Sequence, residues 1–412
     1  MSEARKNWLL IESPEWRPFL LSFFYFFFLI GSYMMLRPVR ETLAVRSGDA
    51  EWLFSSVFVV MLLIVPVFGF LVARLPKRVF LPLSYLFFIA NLLLFSLWLT
   101  RSTDSLWAGR VFFVWLSVYN LFVVSVFWSL MVDVFSAEQG KRLFALIAAG
   151  GSAGGIIGPL LSIRLVDQVA PGGLVGIAAI LLTAALYCQW RLLPAATHGR
   201  ATARPIGGSI WGGIQALRRE RYLLGIAGVL VFLPLIQTFL YFIQLEMVGK
   251  AFDSDAERLK WFGAVDLGTQ LTSFLLQLFI TGRLLGWIGP ARTLVLVPML
   301  TALGLATLAV TPSVFVLGVF QALRRGGEYG LMKPARELLF TPVDEEAKYK
   351  AKNFIDTAVY RGGDMGSGWL FRGLSEGLGV ALTTMAALAF PIAAIWAVVS
   401  FKMGRAFEKR TG

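Results

Sequence analysis

Apolar residues run in blocks along this chain. FFYFFFLIG, VVMLLIVPVFGFLV and comparable stretches recur at a spacing of roughly 30–35 residues, and each extends toward the ~20 apolar positions that a membrane-crossing helix needs. The pattern predicts spans near residues 18–36, 54–72, 80–99, 111–132, 143–161, 174–187, 223–247, 261–280, 293–310, 313–331, 354–374 and 380–401. Strands of an outer-membrane barrel are about 10 residues long and alternate apolar with polar positions. These blocks do neither, so the spans are helices. One long polar stretch, RLLPAATHGRATARPIGGSIWGGIQALRRER, divides the spans six and six. The expected fold is an all-α integral membrane protein with twelve transmembrane helices in two six-helix halves, residues 1–190 and 222–412, joined by a basic cytoplasmic linker, 191–221.

Composition narrows the class. Apolar residues make up 57% of the 412 positions and charged residues only 15%, where about 25% charged is usual for a soluble domain. That balance excludes a soluble enzyme, a disordered chain and a nucleic-acid-binding module. The 38 Lys and Arg against 25 Asp and Glu leave a net charge of +13, which has two competing explanations: cytoplasmic loops biased to Lys/Arg, and a cationic path for an anionic solute. With the N-terminus placed inside, about two thirds of the cations fall on the inner side, so the positive-inside rule puts both termini in the cytoplasm of an inner-membrane protein. The N-terminal MSEARKNWLLIESPEWRP has no short apolar core with a small-residue cleavage site, so the first span is read as retained. A single cysteine, Cys188, and a single histidine, His198, leave no intramolecular disulfide, Cys/His zinc site, haem pair or Ser-His-Asp triad. No enzyme activity, metal or cofactor is expected. No GxxxxGK[ST] loop occurs, so transport driven by ATP hydrolysis in this chain is not expected and secondary transport is.

The informative charges are those inside spans, where each costs about 2.5–3.5 kcal/mol on insertion scales. Arg37, Arg40 and Glu41 close span one, Glu246 ends span seven, Asp266 lies in span eight, Arg324, Arg325 and Glu328 interrupt span ten, and Asp356, Arg361 and Asp364 lie along span eleven. Singly, each has a bland explanation: Arg37 and Arg40 snorkel to headgroups, Glu246 faces water, Arg324 and Arg325 pair with Glu328, and Arg361 pairs with Asp364 and Asp356. Together, charge on the first helix of each triplet (one, seven and ten) points to one central cavity, and arginine's fork suits phosphate or carboxylate. Asp266, Asp356 and Asp364 are candidates for proton transfer or gating. The glycine-rich run from Ala148 to Gly155 is read as a close helix-packing face rather than a phosphate loop, since no strand precedes it.

Residues 129–155 and 330–368 share a Leu-Met entry, an acidic-then-basic loop and a following Gly-rich helix, at the span four-to-five and ten-to-eleven junctions. Parallel six-span halves with nested three-span repeats are the build of the major facilitator superfamily, and GFLVARLPKRVFL, residues 69–81, resembles a degenerate form of its loop signature. Three further stretches, LRPVRETLAV (36–45), FWSLMVDVFSAEQGKRLFALIAAGGSAG (127–154) and YGLMKPARELLFTPVDEEAKYKAKNFIDTAVYRGGDMGSG (329–368), resemble the ATP/ADP antiporters of intracellular bacteria and plastids, a nucleotide transporter family related to the major facilitators. IQLEMVGKAF (243–252) is a weaker match. The resemblance implies transport of an anionic, phosphorylated solute such as a nucleotide. It places the family's functional span-one lysine on Arg40, its span-seven glutamate on Glu246 and the lysine before its span ten-to-eleven loop on Arg336. The family's span-four glutamate has no counterpart in VWLSVYNLFVVSVFW (114–128).

The expected substrate-binding set is therefore Arg37, Arg40, Glu41, Glu246, Lys333, Arg336 and Arg361, with an anionic small molecule and the lipid bilayer as partners and no nucleic acid. Two other functions stay open: a proton-coupled facilitator or efflux carrier for another solute, and a membrane scaffold or sensor without transport.

Overall fold

The computed structural model describes residues 11–102, 105–196, 220–343, 355 and 359–411. Most of the expected linker with His198, the start of span eleven with Asp356, and the middle of the 329–368 motif lie outside the described residues. The described chain is helical: α1 Trp16–Ser47, α2 Ala50–Arg74, α3 Lys77–Arg101, α4 Leu106–Val134, α5 Ala137–Leu165, α6 Pro171–Leu192, α7 Arg221–Ala251, α8 Asp255–Leu275, α9 Thr281–Val310, α10 Val314–Gly327, α11 Lys333–Leu338, α12 Tyr360–Arg372 and α13 Leu382–Thr411.

Local chemistry sets several of these ends. Ser136 accepts a hydrogen bond from the Gln139 amide while the Gln139 side chain accepts one from the Ser136 amide, a capping box that starts α5. Ser254 and Glu257 start α8 in the same way. Within α9, Gly289 adopts φ +78°, which only glycine takes without strain. The helix restarts at Pro290, where Glu408 of α13 accepts a hydrogen bond from the Ala291 amide at 3.2 Å.

Among the described residues nine helices are long and apolar enough to cross a membrane, one of them running from Asp255 to Val310 through the two spans expected at 261–280 and 293–310. In the stretch expected as span ten, α10 carries Arg324 and Arg325 in its last turn and runs on through the π-helical turn Glu328–Met332 into α11. Of the stretch expected as span eleven, α12 carries Arg361 and Asp364, and its first part lies outside the described residues.

The chain divides into two compact units, Met1–Leu43 with Val60–Ala203, and Ala44–Val59 with Arg204–Gly412. This differs from a clean split at the linker, because the hairpin joining α1 to α2 belongs to the second unit. Named contacts explain why. Arg46 pairs with Asp255 at 3.0 Å, Glu51 pairs with Arg372, the Trp369 indole N–H donates to Ser55 at 3.0 Å, and Phe54 packs on Tyr241 and Phe242.

In the first unit, α1 and α5 approach until their backbones touch. A Cβ on Gly150 would strike the Phe23 carbonyl, one on Gly154 the Phe27 carbonyl, and one on Gly158 the Gly31 carbonyl. The glycine-rich run is a packing face, as its sequence predicts. Ser162 completes the seam by donating to the Met35 carbonyl at 2.9 Å.

Candidate functional site

α1 carries a mixed-charge turn near its C-terminal end. Its apolar run FFYFFFLIGSYMML gives way to Arg37, Pro38, Arg40 and Glu41. Pro38 contributes no N–H to the helix ladder, and the Thr42 hydroxyl donates to the Pro38 carbonyl at 2.9 Å. Glu41 is 3% exposed and pairs with Arg40. The Arg40 guanidinium also lies 4.9 Å from the centre of the Phe113 ring, a cation–π contact that gains strength where water is excluded. Arg37 sits one turn earlier, half-buried. The structure therefore brings Arg37, Arg40 and Glu41 together in the first unit.

In the second unit the candidate residues fall into separate groups. Glu246, near the end of α7, takes Lys250 as its cation at 2.6 Å. It also borders a cavity of about 210 Å³ walled by Phe242, Leu245 and Phe371 and edged by Glu51, Arg372 and Glu376. Arg372 stands between two acids there, with Glu51 on one side and Glu376 at 2.9 Å on the other. Asp266 of α8 accepts from Arg325 of α10 at 2.7 Å, both side chains nearly buried. Arg324 is 1% exposed. It donates to Gln321 at 3.1 Å and lies 3.5 Å from Glu328, and Gln321 donates in turn to Gln244 of α7 at 2.8 Å.

A further group links α7 to α12. Thr238 donates to Asp364 at 2.8 Å, Arg361 lies 3.6 Å from the same carboxylate, and the Tyr360 hydroxyl donates to Gln237 at 2.8 Å. On α11, Lys333 is exposed. Arg336 keeps only 15% of its side chain accessible, with Glu337 at 3.9 Å, which is loose for an ion pair. A guanidinium so placed has bonding capacity for a planar anion.

Sequence reasoning found the charged members of these groups and missed the neutral ones. Gln237, Thr238, Gln244 and Gln321 carry as much of the polar network as the charges do. Their signal was available: an amide inside an apolar span is itself expensive to bury and needs a partner. Glu51 and Arg372, which pair with each other, were not among the expected site residues.

Comparison with known proteins adds a separate line of argument. The chain is similar to ADP,ATP carrier protein 1 of Chlamydia muridarum, 23% identical over an alignment covering 96% of this chain and 90% of the carrier. ADP,ATP carrier protein 2 of Chlamydia pneumoniae is 20% identical over 97% and 90%. Among solved structures, an auto-inhibited peptide transporter of the POT family superposes with a TM-score of 0.65 at 14% identity, covering 96% of both chains. The nucleoside transporter NupG superposes with a TM-score of 0.59 at 15% identity, covering 97% of this chain and 99% of NupG. Residues 18–332 match the profile of the Major Facilitator Superfamily. With more than half its length matched, and the same helical fold as solved transporters, the chain belongs to the major facilitator superfamily.

Proposed function

We propose that this protein is a twelve-span secondary transporter of the inner membrane, with both termini in the cytoplasm and residues 1–190 and 222–412 as its two halves. It exchanges anionic, phosphorylated solutes of the ATP/ADP kind by alternating access. The observation that carries this reading is Arg40, with its neighbour Arg37, kept inside an apolar helix beside a nearly buried Glu41. An arginine held by an internal carboxylate exchanges that partner for a phosphate oxygen at little electrostatic cost. In this reading Arg40 and Arg336 bind phosphate, Arg37 and Lys333 raise the local positive potential, and Glu41 holds Arg40 in the empty state. Glu246 is held ready by Lys250, and Arg361 is steadied by Asp364. The likeness to the chlamydial ADP,ATP carriers over nearly the whole chain supports the choice of nucleotide.

Alternating access in this reading is a rocking of the two halves.

Proteoliposomes loaded with ADP and offered labelled ATP test the exchange, and accumulation that requires internal nucleotide is expected. Absence of counterflow with every nucleotide tried rules the reading out. Charged hydrogen bonds contribute about 1.5–3 kcal/mol, so Arg40→Ala and Arg336→Ala should each raise KM by about tenfold or more. Unchanged KM in both variants makes these arginines structural. A second reading, proton-coupled uptake of another solute, is favoured by one observation: Asp364 is a buried carboxylate with a hydroxyl donor and an arginine at hand. Uptake that collapses with a protonophore and ignores internal nucleotide selects it.

A further inference from the structure

The first unit carries a groove between α1 and α6 that includes none of the residues proposed to bind substrate. It encloses about 630 Å³ and is lined by Trp16, Arg17, Leu20, Phe24, Phe28 and Tyr187, among others. Apart from Arg17 its wall is apolar or aromatic. Leu20 and Phe24 are each 44% exposed and Tyr187 56%, so the groove faces the bilayer. From Arg17 to Phe28 the helix rises roughly 16 Å, about half the ~30 Å thickness of a bilayer's hydrocarbon core. The groove is as deep as one leaflet.

One end is marked chemically. Trp16 and Trp190 are exposed, as the tryptophans of an aromatic belt are. Arg17 lines the groove next to Trp16. Arg191 places its guanidinium 5.9 Å from the centre of the Tyr187 ring, over a residue of the same wall. The nearby acids are turned elsewhere: Glu15 accepts from Gln139 and Arg142, each at 2.9 Å, and Glu12 lies 3.4 Å from Arg142. Two arginines at one end of an apolar trough of acyl-chain length are complementary to one kind of molecule.

We infer that this groove is a binding site for a phospholipid with a net negative headgroup, its phosphate held by Arg17 and Arg191 and one acyl chain lying along Leu20, Phe24 and Phe28. A zwitterionic lipid brings an ammonium group that the arginine pair repels. Free phosphate lacks the chain that fills the trough.

The test uses the full chain, purified in detergent. Added phosphatidylglycerol should raise the unfolding temperature, phosphatidylcholine and inorganic phosphate should not, and R17Q/R191Q should lose at least half of the rise. A photoactivatable acyl chain on phosphatidylglycerol should cross-link preferentially to residues 16–28 and 184–191 of the unaltered protein. That mapping decides the matter if the double variant fails to fold. Equal stabilisation by phosphatidylcholine, a full phosphatidylglycerol effect in R17Q/R191Q, or cross-links spread evenly over the lipid-facing helices overturns the inference.

Discussion

The two units solve the same packing problem with different chemistry. In the first, α1 meets α5 along Gly150, Gly154 and Gly158, and a neutral network runs beside that seam: Tyr25 donates to Tyr85 at 2.6 Å, Tyr85 to the Val123 carbonyl at 3.1 Å, and Ser32 to the Ala178 carbonyl at 2.9 Å. In the second, α7 meets α12 where a Cβ on Gly363 would crowd Pro234 and one on Gly368 would approach Phe242. Here the seam also carries Thr238, Asp364 and Arg361, and the core beside it holds Arg324, Arg325 and Asp266. Neutral hydrogen bonds in a dry core hold one geometry. Acid–base pairs bind as firmly, yet either member can trade its partner for an ion or a proton. The first unit thus sets its neutral network along α1 apart from its buried acids Glu15, Glu41 and Asp133, while the second carries Asp364 in the α7–α12 seam itself.

The contrast is broken most severely at Asp266. Removing one member of a buried pair leaves the other charge without compensation, which costs about 3–5 kcal/mol. Asp266→Ala should therefore unfold well below the unaltered protein in a detergent melt, and D266A/R325M should recover much of the loss. Failure of the double change to recover any would show that the two residues do not act as a pair. Next comes the neutral seam. Gly154→Val puts a branched side chain onto the Phe27 carbonyl and the Gly31 amide, and overpacking costs about 1–3 kcal/mol, more where only backbone can yield. Gly363→Ala meets the edge of a proline ring instead, so it should lower the melting temperature less. Tyr25→Phe should cost about 1 kcal/mol by removing a single hydroxyl from a network that includes Tyr85 and Gln189.

Much of this was legible in the chain. Helical spans followed from apolar blocks alone, and the glycine run of α5 reads as a packing face because no strand precedes it, as one would precede a phosphate loop. Ion pairs one helical turn apart, such as Arg361 with Asp364 and Arg324 with Glu328, follow from i+3 and i+4 spacing. Three things did not show. Arg325 pairs with Asp266, 59 positions away, because partners on different helices are set by how the helices rotate. The hairpin 44–59 joins the second unit through Arg46, Glu51 and Phe54, each of which looks like an unremarkable span-end residue in sequence. Tyrosines and glutamines in the cores went unweighted because their cost is spread over neutral groups that no charge count detects.

The smallest expected change in stability is at Asp364, and it bears most directly on mechanism. Asp364→Asn preserves the shape and leaves an amide oxygen to accept from Thr238, while it removes the attraction to Arg361. That arginine side chain is 35% exposed at 3.6 Å, and solvent screening holds such a pair to less than about 1 kcal/mol. The melt should shift little. Transport separates the two readings. If nucleotide exchange is the function and Asp364 only steadies Arg361, Asp364→Asn keeps counterflow and stays indifferent to a protonophore. If the carboxylate carries a proton in each cycle, the substitution abolishes accumulation driven by a pH gradient while leaving solute equilibration down its own gradient.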